Sequence, residues 1–219
     1  MVSAAAGGIR RVLVVDDHPI VRLGIRQMLS SQDDLQICGE AATAAEGFDL
    51  AVRLRPDLVL VDLALLQGTG MDLIRRMREA VQGLQALVVS MHDEMLFAER
   101  ALRAGARGYI MKDAAIDGLI GAIRQVLSGE IHVSTRVAQA LLERAAREEH
   151  APGGLDTLTD RELAVFDLVG RGRSTAQIAE QLEVSVKTIE TYRANIRHKL
   201  KLKDGSDLVR FAATWATKL

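Results

Sequence analysis

From residue 11 to about residue 129 the chain alternates five short apolar runs with five amphipathic stretches, and this rhythm constrains its fold more than any other feature. The apolar runs fall at 11–15, 35–40, 58–62, 86–90 and 108–111. Val12-Leu13-Val14-Val15 has the uninterrupted apolar character of a strand buried on both faces, as in a parallel sheet. The amphipathic stretches lie at 20–29, 44–54, 72–80, 95–104 and 116–127. In the last of these, Ile116, Leu119, Ile120, Ile123 and Leu127 keep the spacing of one helix face. Such βα repeats predict a parallel sheet covered by helices on both sides. Ligands of these sheets bind beyond the carboxyl ends of the strands.

Those ends carry a particular set of polar groups. Asp16 and Asp17 close the first run, Asp62 the third and Ser90 the fourth, and Lys112 follows the fifth. Adjacent carboxylates at the end of an apolar strand cost energy unless a positive charge lies close or one of them takes a proton. Taken alone, Asp16 and Asp17 could be loop residues capping the next helix, with Pro19 in its first turn. Taken together, the three strand-end carboxylates, the hydroxyl and the ammonium make a phosphoryl-accepting site. Clustered carboxylates suit Mg²⁺, which takes one or two of them, keeps waters and leaves room for phosphate oxygens. Asp62, alone on its strand, suits a nucleophile that carries an aspartyl-phosphate. Asp16 and Asp17 as a pair suit the ion. Lys112 would balance the charge of the transferring group while Ser90 donates a hydrogen bond to it. His18 reads as a loop residue, since Mg²⁺ prefers oxygen. His92, His132 and His150 show no metal-ligand spacing.

Beyond residue 129 the pattern changes. STRVAQALLERAAREEHAPGG reads as a helix that frays into a charged, then Pro/Gly-containing linker ending near Asp156, which puts the boundary near 145–156. Every later segment is helical. Thr159 with Glu162, and Ser174 with Gln177, have the spacing of capping boxes. STAQIAEQLEVSVKTIETYRANIRHKL reads as helix, short turn, helix, with Ser185 as the second N-cap. Ala176, Ile178, Ala179 and Leu182 give the first helix an apolar face, and Val186, Ile189, Ile196 and Leu200 point inward from the second. Lys187, Thr188, Glu190, Thr191, Ala194 and Asn195 are left outside, with Arg193 at the margin. Between residues 185 and 203 six positive side chains face one negative, Glu190, a balance that fits a nucleic-acid surface.

Composition narrows the classes further. The 219 residues are 48% apolar, ample for real cores, and 26% charged. No run approaches the roughly 20 apolar residues of a membrane span, and MVSAAAGGIRR lacks the apolar segment of a secretory signal. The lone Cys38 makes no internal disulfide and reads as a small core residue, in keeping with a reducing cytoplasm.

DDHPIVRLG, DLVLVD, VVSMHDE and GYIMKD resemble the motifs of bacterial two-component response-regulator receivers over nearly all of residues 10–129. LTDRELAVFDLVGRG, STAQIAEQL and VSVKTIETYRANIRHKL resemble the LuxR-type helix-turn-helix, and the two together the NarL/FixJ class. The resemblance implies an α/β plus all-α chain. A flavodoxin-like (βα)5 receiver with strand order 2-1-3-4-5 would occupy 9–129, a linker with a helical segment 130–156, and a four-helix LuxR-type domain 157–219. It implies Asp62 as phosphoacceptor, Asp16, Asp17 and the Ala64 backbone carbonyl with Asp62 around Mg²⁺, Ser90 and Lys112 on the phosphoryl group, and Tyr109 as the aromatic that reorients. It places Lys187, Thr188 and Thr191 near bases or phosphates, and Arg193 and Lys199 on the DNA backbone. Glu190 would accept from a cytosine amino group or repel phosphates. Leu208, Val209 and Ala212 of the last helix would support dimer contacts or pack in the core.

The chain departs from many receivers at Leu66 and Asp113, where proline is common. A cis bond after Lys112 would cost about 2.5–4 kcal/mol without Pro. Neither change removes a chemical group from the site. The function implied is a cytoplasmic, non-enzymatic regulator phosphorylated by a sensor histidine kinase, dimerising and binding promoter DNA under that control. Two rivals are a constitutive DNA-binding regulator whose receiver serves oligomerisation, and a metal-dependent phosphatase or nucleotide-binding enzyme. Against the latter, DDHP stands where a Gly-rich phosphate loop would follow the first strand.

Overall fold

The computed structural model describes residues 8–65, 69–147 and 152–218; Leu66, His150 and the side chain of Ile116 lie outside them. The chain divides into two compact units, Met1–Ser134 and Thr135–Leu219.

The first unit alternates β1 (Arg10–Val15), α1 (Pro19–Ser30), β2 (Leu35–Ala41), α2 (Ala44–Leu54), β3 (Leu58–Val61), α3 (Gly70–Ala80), β4 (Gln85–Ser90), α4 (Glu94–Ala104), β5 (Gly108–Met111) and α5 (Ala115–Leu127). The strands pair in parallel in the order β2-β1-β3-β4-β5. β1 and β3 are sandwiched because their uninterrupted aliphatic runs bury both faces: Val12 through Val15 and Leu58 through Val61 are at most 1% exposed. On one face α1 and α5 supply Ile25, Leu29, Leu119 and Ile123 to the cluster around Val12, Val14 and Leu60. On the other, α2 lies so close that a β-carbon on Gly47 would stand 2.9 Å from Val15. Burying each such Val or Leu side chain contributes about 1.5–3 kcal/mol.

Register delivers the strand ends to one place. Val15 pairs with Val61 and Val61 with Val88, so Asp16 and Asp62 follow paired positions. Ser90 pairs with Met111, and Lys112 comes next. Main-chain bonds carry the sheet one step further, from Asp62 N to Val15 O (2.9 Å) and from Lys112 N to Ser90 O (2.9 Å). Cys38 is half-buried rather than in the core. The register jumps from Val12–Ile37 to Leu13–Gly39, leaving Cys38 as the extra residue of a bulge on the edge strand.

The first unit extends past residue 129, because residues 130–134 dock along β5. Tyr109 N donates to His132 O (2.8 Å) and His132 N to Arg107 O (3.0 Å).

The second unit comprises α6 (Thr135–Arg147), a 3-10 helix (Pro152–Thr157), α7 (Asp160–Gly170), α8 (Thr175–Gln181), α9 (Val186–Lys199) and α10 (Gly205–Lys218). Both expected capping boxes form, Thr159 with Glu162 before α7 and Ser174 with Gln177 before α8. The Ser185 hydroxyl caps α9 by accepting from Thr188 N at 3.0 Å. Phe166, Ile178, Ile189, Ile196, Leu208 and Ala212 fill the core, with the Phe166 and Phe211 rings 5.9 Å apart. Gly170 lets α10 pass close, since a β-carbon there would meet Ala212 O at 2.8 Å.

Two apolar residues sit differently from the periodic reading. Ala176 and Val186 are exposed, Val186 by 47%. Val186 is the first residue of its helix and has no preceding turn to lie over. Leu208 and Ala212 are consumed by the core, so of the three apolar residues named on α10 only Val209 remains on the surface.

Candidate functional site

At the carboxyl edge of the sheet the Lys112 ammonium stands 2.6 Å from Asp62 Oδ2 and 2.7 Å from Asp16 Oδ2. All three side chains are nearly closed to solvent. A buried ammonium between two buried carboxylates is held by charge-assisted hydrogen bonds that offset part of their desolvation. Burial works against the Lys112 charge, but Asp62 and Asp16 outweigh it and hold its pKa above the usual lysine range. Ala64 N donates to the other Asp62 oxygen at 3.3 Å. Ser90 is fully buried beside them, and its hydroxyl accepts from His92 N at 3.3 Å.

Asp17 completes the acidic group. Burial pushes its carboxyl pKa up, helped by the negative charges of Asp62 and Asp16 and opposed by His18 and Lys112. Its Oδ1 is buried and lies 2.6 Å from His18 Nδ1 without the alignment of a hydrogen bond. Ligand atoms of Asp16, Asp17, His18 and Asp62 all fall within 4.8 Å of one another. Three convergent carboxylates with an under-satisfied buried oxygen fit a hard divalent cation.

The helix-capping reading of the acid pair does not hold. The N-cap of α1 is His18, with Pro19 at the first helical position and no side-chain cap bond. Asp16 instead accepts from His18 N at 2.8 Å, which turns the loop while both carboxylates face the pocket. The peptide bonds of the described residues are all trans, Lys112–Asp113 among them.

Sequence reasoning misses two residues that hold the pocket and sets aside a third, His18. Arg22 of α1 donates to the Asp16 carbonyl at 2.5 Å and lies 3.6 Å from Glu40, which also binds Arg26. Gly70 opens α3 so close to the acceptor loop that a β-carbon would lie 2.2 Å from Asp62 O. The amphipathic pattern begins this helix at 72, and a Gly just ahead of it reads as an ordinary turn residue, so only the observed start of α3 at Gly70 marks the position. Metal preference alone makes His18 a loop residue, whereas the backbone turn brings its ring to both carboxylates.

Tyr109 is buried, and its hydroxyl donates to His92 O at 2.8 Å. His92 stacks on Phe97 of α4 with ring centroids 4.8 Å apart. The hydroxyl-bearing end of β4, the start of α4 and the β5 aromatic are thus tied together.

On the second unit α9 leaves Lys187, Glu190 and Thr191 exposed, with Thr188 and Arg193 half-buried. The Thr188 hydroxyl lies 2.8 Å from Ser185 Oγ, within the cap, and Thr191 donates to Lys187 O at 3.0 Å. Lys199, expected near the DNA backbone, makes an ion pair within the domain. Its ammonium binds Glu162 Oε2 at 2.6 Å, inside the domain. The reason is electrostatic: Glu162 is buried by the packing of α7 on α9, and its carboxylate needs a counter-charge. Burial alone would raise its pKa; the Lys199 ammonium and the Thr159 donors prevail and hold it below the usual range.

The model of the response regulator receiver domain matches residues 12–124, and that of the bacterial regulatory proteins of the luxR family matches 156–212. The chain is a LuxR-type response regulator. It is 33% identical to the response regulator GacA of Pseudomonas aeruginosa over 202 residues, 92% of this chain and 94% of that one. It is also 33% identical to the transcriptional regulatory protein MctR of Rhizobium johnstonii, over 92% of each chain. A two-component response regulator of the LuxR family from Aurantimonas superposes with a TM-score of 0.59 at 34% identity, covering 64% of this chain and 99% of that one. The regulator therefore joins a receiver to a DNA-binding helix-turn-helix domain. Among the described residues no helix is long and apolar enough to cross a membrane.

Proposed function

We propose that this response regulator is a transcription factor switched by phosphorylation of Asp62, taking its phosphoryl group from a sensor histidine kinase in the cytoplasm. The observation that carries the reading is the Lys112 ammonium bridging Asp62 and Asp16 in a buried, acid-lined pocket. Asp16, Asp17 and Asp62 would hold Mg²⁺, with the Ala64 carbonyl as a further ligand. When bound, the ion neutralises charge on the phosphoryl oxygens. An Asp62 carboxylate oxygen forms the new O–P bond as the P–N bond to the kinase histidine breaks. Lys112 takes up the charge on the transferred group, and Ser90 turns its hydroxyl to one of its oxygens. The β4–α4 loop and Tyr109 move with Ser90, shifting the population between two states of the receiver. The second unit then pairs with a copy of itself on double-stranded DNA, on half-sites about 10 bp apart. Lys187, Thr188, Glu190 and Thr191 present the base-reading side of α9, and Arg193 meets the backbone. GacA and MctR, both named as regulators, support this use of the chain.

Incubation with acetyl phosphate and Mg²⁺ tests the assignment by intact mass. A phosphoryl adduct on the wild type and none on Asp62→Ala is expected. An equal adduct on both proteins sinks it. Equal DNA affinity with and without a phosphoryl analogue would mark the regulator as constitutive.

A further inference from the structure

The phosphoryl-binding end of β4 is connected to the last residues of the receiver by a closed circuit of hydrogen bonds. Ser90 Oγ accepts from His92 N, and His92 O accepts from the Tyr109 hydroxyl at 2.8 Å. The Tyr109 amide, on the same residue, donates to His132 O, and His132 N returns to Arg107 O. Two residues on, the Ser134 hydroxyl donates to Glu94 Oε1 at 2.6 Å. Glu94 opens α4, two residues beyond His92, so the circuit closes on the element where it began.

The segment is built to sit there. Gly108 has no side chain where residue 132 passes: a β-carbon would meet His132 O at 2.9 Å and His132 Cβ at 3.1 Å. Gln125 of α5 holds both sides of the approach, donating to Ile131 O at 3.0 Å and lying 2.8 Å from His132 Nδ1. Within residues 130–134, His132 thus makes a single parallel bridge on the open edge of β5, an edge that otherwise exposes unpaired main-chain groups.

We infer that residues 132–134 are a latch, closed on β5 and on Glu94 in the unphosphorylated receiver and released when Ser90 turns to a phosphoryl group on Asp62. This inference rests on Asp62 being the phosphoacceptor. Withdrawal of the Ser90 acceptor frees His92, and the β4–α4 loop then carries Glu94 away from Ser134 and tilts Tyr109 under His132. Ser134 immediately precedes α6, the first helix of the DNA-binding unit. Release of residues 132–134 therefore adds three residues, about 10 Å of extended chain, to the tether of that unit, while Gln125 keeps residues 130 and 131 on α5. The output of the switch is a change in tether length set by the main-chain edge of β5.

Hydrogen exchange on the full chain, with and without Mg²⁺ and beryllofluoride, tests the latch, while fluorine NMR reports whether the analogue has bound. The Tyr109 and His132 amides are expected to exchange at least tenfold faster once it binds. Ser134→Ala should speed the same two amides tenfold without any analogue, and Ser134→Thr, which keeps the hydroxyl, should restore their protection. Bound fluoride with unchanged protection at both amides overturns the latch and leaves the Asp62 assignment standing. No bound-fluoride signal overturns the Asp62 assignment and the latch with it. Ser134→Ala with wild-type protection overturns the part given to Glu94.

Discussion

Replacing Lys199 with Met separates two roles for that residue, a counter-ion inside the second unit and a contact to DNA phosphate. The ammonium is 2.6 Å from Glu162 Oε2, and the same oxygen accepts from Thr159 N at 2.8 Å. Glu162 is 3% exposed, so the variant strands a buried carboxylate. Removing one partner of a fully buried pair costs about 3–5 kcal/mol. Lys199 keeps 31% of its side chain exposed and the Thr159 bond survives, which lowers the expected loss to about 2–3 kcal/mol. For a unit of this size that is a fall in Tm on the order of 10–20 °C. Trp215 on α10 is the single tryptophan of the chain and reports this unit's unfolding by fluorescence. Glu162→Gln with Lys199→Met should recover much of the loss, because no charge is then buried. DNA affinity of the variant, measured below its melting range, should keep the wild-type salt slope. A variant that melts with the wild type while its salt slope drops by about one would make Lys199 a phosphate contact and refute the reasoning.

The Glu162 pair also sets an acid limit. Its folded pKa lies below the unfolded value of about 4.3, so its stabilisation is present above that pH and is lost as pH falls through the folded pKa. Trp215-monitored urea melts of the wild type should weaken below about pH 4 more steeply than those of Glu162→Gln. Lys112→Met should slow Asp62 phosphorylation by acetyl phosphate about 10²-fold, as loss of an oriented charge donor does, read by intact mass against time. Gly70→Ala forces backbone away from Asp62 O, and a loss of about 1–3 kcal/mol in receiver stability is expected from chemical denaturation. Wild-type stability in that variant would mean that the α3 start yields freely.

The strands and helices of the first unit were legible to within two residues because their signals are local, whereas the strand order followed only from the family resemblance. An uninterrupted aliphatic run such as Leu58-Val59-Leu60-Val61 states burial on both faces, and Thr159 with Glu162 states a helix start within four residues. What escaped depends on partners distant in sequence. Lys199 and Glu162 are 37 residues apart, and nothing in VSVKTIETYRANIRHKL distinguishes a lysine committed inward from one facing solvent. The bulge at Cys38 is set by how β2 matches β1, not by ICGE itself. Residues 130–134 read as linker because their pairing is with the backbone of β5, which leaves no side-chain pattern.

The candidate site was legible for a further reason, which is the parallel register of the sheet. Strands related in parallel present their carboxyl ends on one edge, so a residue just past a paired position arrives at that edge whatever lies between the strands. Asp16, Asp62 and Lys112 each occupy such a position, and fifty residues separate the last two although they touch. Side chains alternate faces with period two, so a one-residue slip of β3 would turn Asp62 away from Lys112 and set Leu63 in its place. The buried aliphatic face that fixes β3 therefore also fixes the distance between the carboxylate and the ammonium. Stability of the core and chemistry of the pocket depend on the same four residues, Leu58 to Val61.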